Sequence, residues 1–273
     1  MKKVILFITG IIIISNAIIF IVNELSHNHD DNVNVTDYEQ QLVSLTQNCE
    51  PLECRIIDDF NRLNKNEYSE NIKAIAESIR PILGYKNGPK IGIVILNIAF
   101  ENGSFSCDDK LYFLDKIATL KYKDNDLFGM IDPILGYIKI ASESGDNFKI
   151  ASGELSLALA ISYFKEYELS NNIIEEIIYS DKSNDWYRLK NQARLSFSEN
   201  KLAMDKPQEA LDMLDMVTPY KASYTEEDWR DYYIYTLALK SEAYIHLGQL
   251  EQANKYIISN EENSYFIDLY FFI

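Results

Sequence analysis

The sequence predicts an all-α chain of antiparallel helix pairs, closed into a bundle or, where the pairs repeat, stacked as an α-solenoid, behind one N-terminal transmembrane helix. Three observations carry this. Apolar residues recur at helical spacing along most of the chain, with no convincing alternation at a period of two. Short turns separate the later helices, which forces neighbours to pack antiparallel. Residues 4–22 form a charge-free run long enough to cross a bilayer. Composition agrees, since 10 Gly and 6 Pro in 273 residues are too few for an all-β chain with many tight turns. Asp and Glu outnumber Lys and Arg by 42 to 26, a net charge of −16, whereas a nucleic-acid binder needs surplus cations for phosphate. Three Cys and three His suit neither a disulfide scaffold, a four-thiolate zinc site nor a His-rich metal enzyme, so no metal or cofactor is expected.

Val4 to Val22 follows Lys2 and Lys3 and, as a helix, would span about 28 Å, close to the bilayer's apolar thickness. Cleavage after Ser15-Asn16-Ala17 is the alternative, but the apolar run continues to Val22, past the length of a secretory core. Glu24, Asp30 and Asp31 follow, and no Lys or Arg occurs before Arg55. The positive-inside rule then keeps residues 1–3 in the cytoplasm and sends the remainder across, into the periplasm of a bacterium. Residues 23–35 read as a solvated tether. His27 and His29 beside Asp30 and Asp31 sit in that tether, which would hold no ligand geometry. An oxidising compartment permits a Cys49–Cys54 disulfide around Pro51; buried free thiols are the equal alternative, and Cys107 has no obvious partner.

The helices begin at Thr36, where Thr36-x-x-Glu39 makes a candidate capping box. Ile72, Ile75, Ala76, Ile79, Ile82 and Leu83 form one apolar stripe. Ile91 to Phe100 is almost wholly apolar and could pass for a buried parallel strand. Gly92 and the lack of neighbouring strands favour a buried helix. Leu111, Phe113, Leu114, Ile117, Ala118 and Leu120 mark the next helix. Further helices are expected at about 126–141, 153–167, 170–180, 184–203, 206–217, 226–247 and 249–259, with turns containing Asn171-Asn172, Asp205-Lys206-Pro207 and Gly248. Pro207 sits where a first-turn proline belongs. Residues 36–87 read as an N-terminal helical region and 88–263 as the repeats.

Two stretches align without gaps: Arg194 to Leu214 and Leu237 to Ile257. Ser198 matches Ser241, Leu202 matches Ile245, Glu209 matches Gln252, Ala210 matches Ala253 and Leu214 matches Ile257. These segments resemble tetratricopeptide repeats, in which a small residue on the first helix and an Ala on the second let the two backbones approach. Tyr244, Gly248 and Ala253 stand where that pattern wants Tyr, Gly and Ala. Arg194 or Leu237 replaces its Trp, Lys201 replaces its Tyr in the earlier unit, and Ala210 and Ala253 lie 43 residues apart rather than 34. With the Lys-flanked span and the acidic exported part, the chain resembles the bacterial inner-membrane tetratricopeptide-like family, which includes the ancillary subunit of the protein translocon. The resemblance implies a periplasmic adaptor or chaperone-like role, with translocon components or exported polypeptides as partners.

Motifs for catalysis are missing. Gly88-Pro-Lys90-Ile-Gly92 lacks the spacing of a phosphate loop, and neither a Gly-x-Ser-x-Gly elbow, a His-Glu-x-x-His nor a Cys-x-x-Cys occurs. Glu175-Glu176, Glu226-Glu227-Asp228 and Glu261-Glu262 suit solvated helix faces and helix N-termini. His246 suits the end of a helix. No enzyme is expected, although a carboxylate-dependent envelope hydrolase is a lesser alternative. Trp186-Tyr187 and Trp229, Tyr232, Tyr233 and Tyr235 open two helices, either as packing between pairs or as rings facing a partner. The repeat register puts Gln192, Leu195, Glu199, Tyr235, Ala238 and Glu242 on a concave face suited to an extended basic or mixed peptide. Residues 264–273 end in an apolar run that would be a liability if exposed. It is expected to cap the last helix pair, the alternatives being docking into a partner or, in a module that self-associates, into a second copy.

Overall fold

The computed structural model describes residues 35–180, 186–217 and 226–261. The expected span at 4–22, the tether up to residue 34 and the tail at 264–273 lie outside the described residues, as do the side chains of Ile72 and Trp229. Twelve α-helices and two 3-10 turns make up the described residues, with no strand among them. None of these helices is long and apolar enough to cross a membrane. Contacts divide the chain into two compact units, with the boundary between Met130 and Ile131.

The first unit holds α1 (Val35–Thr46), α2 (Pro51–Asn61), α3 (Tyr68–Ile79), α4 (Gly88–Asn102) and α5 (Cys107–Lys123). Its centre is α4, which packs against all four others. The ambiguous apolar stretch is therefore helical, with Ile91, Val94, Ile95, Leu96, Ile98 and Ala99 buried around its circumference. Helices apolar on every side belong in a core. A Cβ at Gly92 would lie 2.7 Å from Ile79 Cγ2 and 3.0 Å from Leu120 Cδ1, so the missing side chain lets α3 and α5 close on α4. The break expected at 87/88 falls inside this unit, because the helix that opens after it is the one the earlier helices surround.

Helix α1 already runs from Val35, which puts Thr36 inside it rather than ahead of its first turn, and the Glu39 carboxylate meets Lys65 Nζ at 3.1 Å. A capping box occurs at α2. There Glu50 N–H donates to Glu53 Oε2 at 2.8 Å, and Asn87 N–H, just before α4, donates to Glu53 Oε1 at 3.3 Å. Glu53 is fully buried, and a carboxylate withdrawn from water needs such donors. Beside it Cys49 and Cys54 are joined in a disulfide, with Cα atoms 5.4 Å apart, across the α1–α2 turn.

The second unit holds α6 (Ile131–Ser144), α7 (Asn147–Tyr163), α8 (Tyr167–Ile178), α9 (Tyr187–Ala203), α10 (Pro207–Leu214), α11 (Glu226–His246) and α12 (Leu250–Glu261). Each packs on the next in sequence, and α7 with α9 and α9 with α11 also touch. This neighbour-only pattern is a helical-repeat-like fold. Four connections share one device. Gly145, Lys165, Asp205 and Gly248 have φ of 72°, 65°, 57° and 71°, each two residues before the next helix begins. After two of them, Lys206 N–H reaches Lys201 O at 2.8 Å and Gln249 N–H reaches Tyr244 O at 2.9 Å, the six-to-one bond of a Schellman ending.

The aligned small residues meet inside these hairpins. Ser198 Oγ lies 3.3 Å from Ala210 O, and Ser241 Oγ lies 3.4 Å from Ala253 O, both buried. A third hairpin, α7–α8, places Ala158 and Ser170 at the same separation with the two residue types exchanged, both fully buried. Asn171-Asn172, expected in a turn, instead lies within α8; the turn is at Phe164 to Glu166. A mid-helix Asn usually competes with the backbone. Asn171 is buried because Asn200 of α9 donates to its Oδ1 at 2.9 Å, and the same amide reaches Ser170 Oγ at 2.9 Å.

Candidate functional site

Helices α9 and α11 are successive first helices of neighbouring hairpins and pack together. Gln192, Leu195 and Glu199 follow one stripe of α9; Tyr235, Ala238 and Glu242 follow the matching stripe of α11. The structure leaves Gln192 and Glu242 exposed and Glu199, Tyr235 and Ala238 half-buried. Leu195 departs from the expectation. It is buried among Leu202, Ala210, Leu211, Leu214, Leu239 and Ala243, with Tyr235 packed against that cluster. The reason is its place one turn before Ser198, on the side of α9 turned to α10. Leu195 therefore supports the face from beneath and offers a partner nothing.

Glu199 is the electrostatic centre of what remains. Burial pushes its carboxyl up to about 7 from the ordinary 4.5, helped by the charge of Glu242. Nearby lysines are committed to other carboxylates. Lys201 meets Glu209 at 2.8 Å, Lys206 meets Glu168 at 3.1 Å, and Lys240 meets Asp215 at 2.6 Å. Lys201, standing where the repeat pattern wants Tyr, also lies 4.9 Å from the Phe197 ring centre. In the later hairpin Tyr244 stacks on Tyr256 instead, at 5.5 Å. His246 ends α11 beside Asp205, Nδ1 to Oδ1 3.4 Å.

The aromatic residues divide between the two readings. Trp186 is buried and meets Phe148 edge-on at 5.9 Å, so it packs between helices. Tyr232 also packs on the α9–α11 cluster, while Tyr233 is exposed. Glu175 and Glu176 are exposed on α8, as a solvated face requires. Sequence reasoning missed the Ser170–Asn171–Asn200 network, although three polar residues in helix interiors were a signal. It also missed a cavity of about 290 Å³ in the first unit, lined among others by Leu42, Val43, Phe60, Leu63 and Tyr68.

No family model matches the chain, and no curated protein matches it. Among solved structures the chain is similar to the crystal structure of BtubC (BKLC) from P. vanneervenii. The TM-score is 0.59 at 14 % identity, over 82 % of this chain and 90 % of that one. At this identity the likeness shows the fold alone: an all-helical chain.

Proposed function

We propose that the chain is a tetratricopeptide-like adaptor or chaperone-like protein, anchored by residues 4–22 in a bacterial inner membrane, whose periplasmic helices bind other proteins. Translocon components or exported polypeptides are the partners the family resemblance suggests. One observation carries the repeat reading: the buried small pair at the same place in three successive hairpins, 158 with 170, 198 with 210 and 241 with 253. The binding face consists of Gln192, Glu199, Tyr235, Ala238 and Glu242, with Leu195 as its support. Its chemistry suits a basic or mixed extended peptide, because a Lys or Arg side chain would complement Glu199 and Glu242 and hold Glu199 ionised.

Photo-crosslinking in native membranes tests this. Probes at Gln192, Ala238 and Glu242 should yield the same adduct, which E199Q with Y235A diminishes, while a probe at Glu175 on the α8 surface should not. Equal adducts at all four positions, or none, would refute this face. Carbonate extraction and protease protection of the full chain test the anchor, since a chain released by carbonate or degraded from the cytoplasmic side contradicts it.

A further inference from the structure

Register across the hairpins exposes an unfinished end. The position four residues after the small residue of each second helix is Ile174, Leu214 and Ile257. The first two are 0 % and 1 % exposed, whereas Ile257 is 38 % exposed. First helices repeat the contrast: Leu202 is 4 % exposed, and its counterpart Ile245 is 49 %. Leu211 is buried as well, while Asn254 in the same place is exposed. Leu202, Leu211 and Leu214 are covered because α11 brings Leu239 and Ala243 onto them. Among the described residues no helix follows α12 to do the same for Ile245 and Ile257.

We propose that residues 264–273 of the same chain cover this end face, with Ile245 and Ile257 beneath them. The occupant is set by tethering and chemistry. The described residues stop at Glu261, about one helical turn beyond Ile257, and the twelve that follow could reach about 40 Å. Tyr265, Phe266, Ile267, Leu269, Tyr270, Phe271, Phe272 and Ile273 are among them, the apolar complement that a bare repeat end requires. Tethering gives the tail a high effective concentration at a face so close, which favours it over a second copy. This end face is defined by hairpin register and exposure alone, so an end covered otherwise would leave the partner-binding face intact, and the converse holds.

The test uses the full chain with a photo-crosslinker in place of Ile257, mixed from isotopically heavy and light preparations. Adducts to peptides within 264–273 that join only heavy to heavy and light to light are the expected result. Mixed heavy–light adducts would assign the face to a second copy, and adducts confined to other peptides would assign it to neither; both overturn the proposal. As a second measurement, deleting 264–273 should speed amide exchange in α12 by at least about ten-fold, while α7 and α8 keep their protection. Unchanged exchange in α12 also overturns it.

Discussion

Replacing Glu199 with Gln should flatten the pH dependence of the second unit's stability. In the folded chain the carboxyl sits at about 7, against 4.5 when unfolded. The folded state therefore holds a proton that the unfolded state releases first, so this contribution is fully present below about pH 4.5 and is lost as pH rises through 7. The difference corresponds to about 3 kcal/mol at full effect, discounted to about 2 kcal/mol because the side chain is only half-buried. E199Q should match the parent near pH 5 and exceed it by that amount above about pH 8. Both tryptophans, Trp186 and Trp229, belong to the second unit, so urea unfolding followed by their fluorescence reports on it alone. E242Q removes only the lesser cause and should shift the transition toward lower pH. Parallel stability curves for parent and E199Q across this range would refute the assignment.

Three further outcomes follow from the packing. N200A removes two bonds of 2.9 Å and strands the Asn171 carbonyl inside the unit, a cost of about 2–4 kcal/mol in the same fluorescence assay; a loss below about 0.5 kcal/mol would contradict the network. G92A drives a methyl against Ile79 and Leu120, which should cost about 1–3 kcal/mol and lower the melting temperature by circular dichroism; an unchanged melt would mean the three helices give way freely. Cutting the Cys49–Cys54 bond, by C49S with C54S or by a dithiol reductant, should destabilise the first unit by about 2 kcal/mol, and the reductant should then leave the double variant unaffected.

The helices and one hairpin alignment were legible because they rest on local patterns. Ser198 with Ser241 and Ala210 with Ala253 recur as identities, and their buried contacts follow. Leu155 to Ile178, with Ala158 and Ser170, makes only a loose match in sequence because the two sizes are kept while the residue types trade places. Asn171 reads as a turn residue by local preference; its partner Asn200 lies 29 residues ahead, where no local pattern reaches. Leu195 was misplaced because it lies at the edge of its stripe, where about 100° per residue puts neighbours on different sides. The depth of Glu199 depends on α11 lying across α9, which a glutamate's own surroundings in sequence cannot report. Thr36 lies inside α1, which already includes Val35, so local preference placed the helix start at the wrong residue.

The closed turns at Lys165, Asp205 and Gly248 have a consequence for how such a chain can diversify. Each fixes a single left-handed residue and a single spacer before the next helix, so one inserted residue would rotate the following helix about 100° and unseat its small partner. Residue count at these turns is thus held fixed while the residue types between them are free to drift.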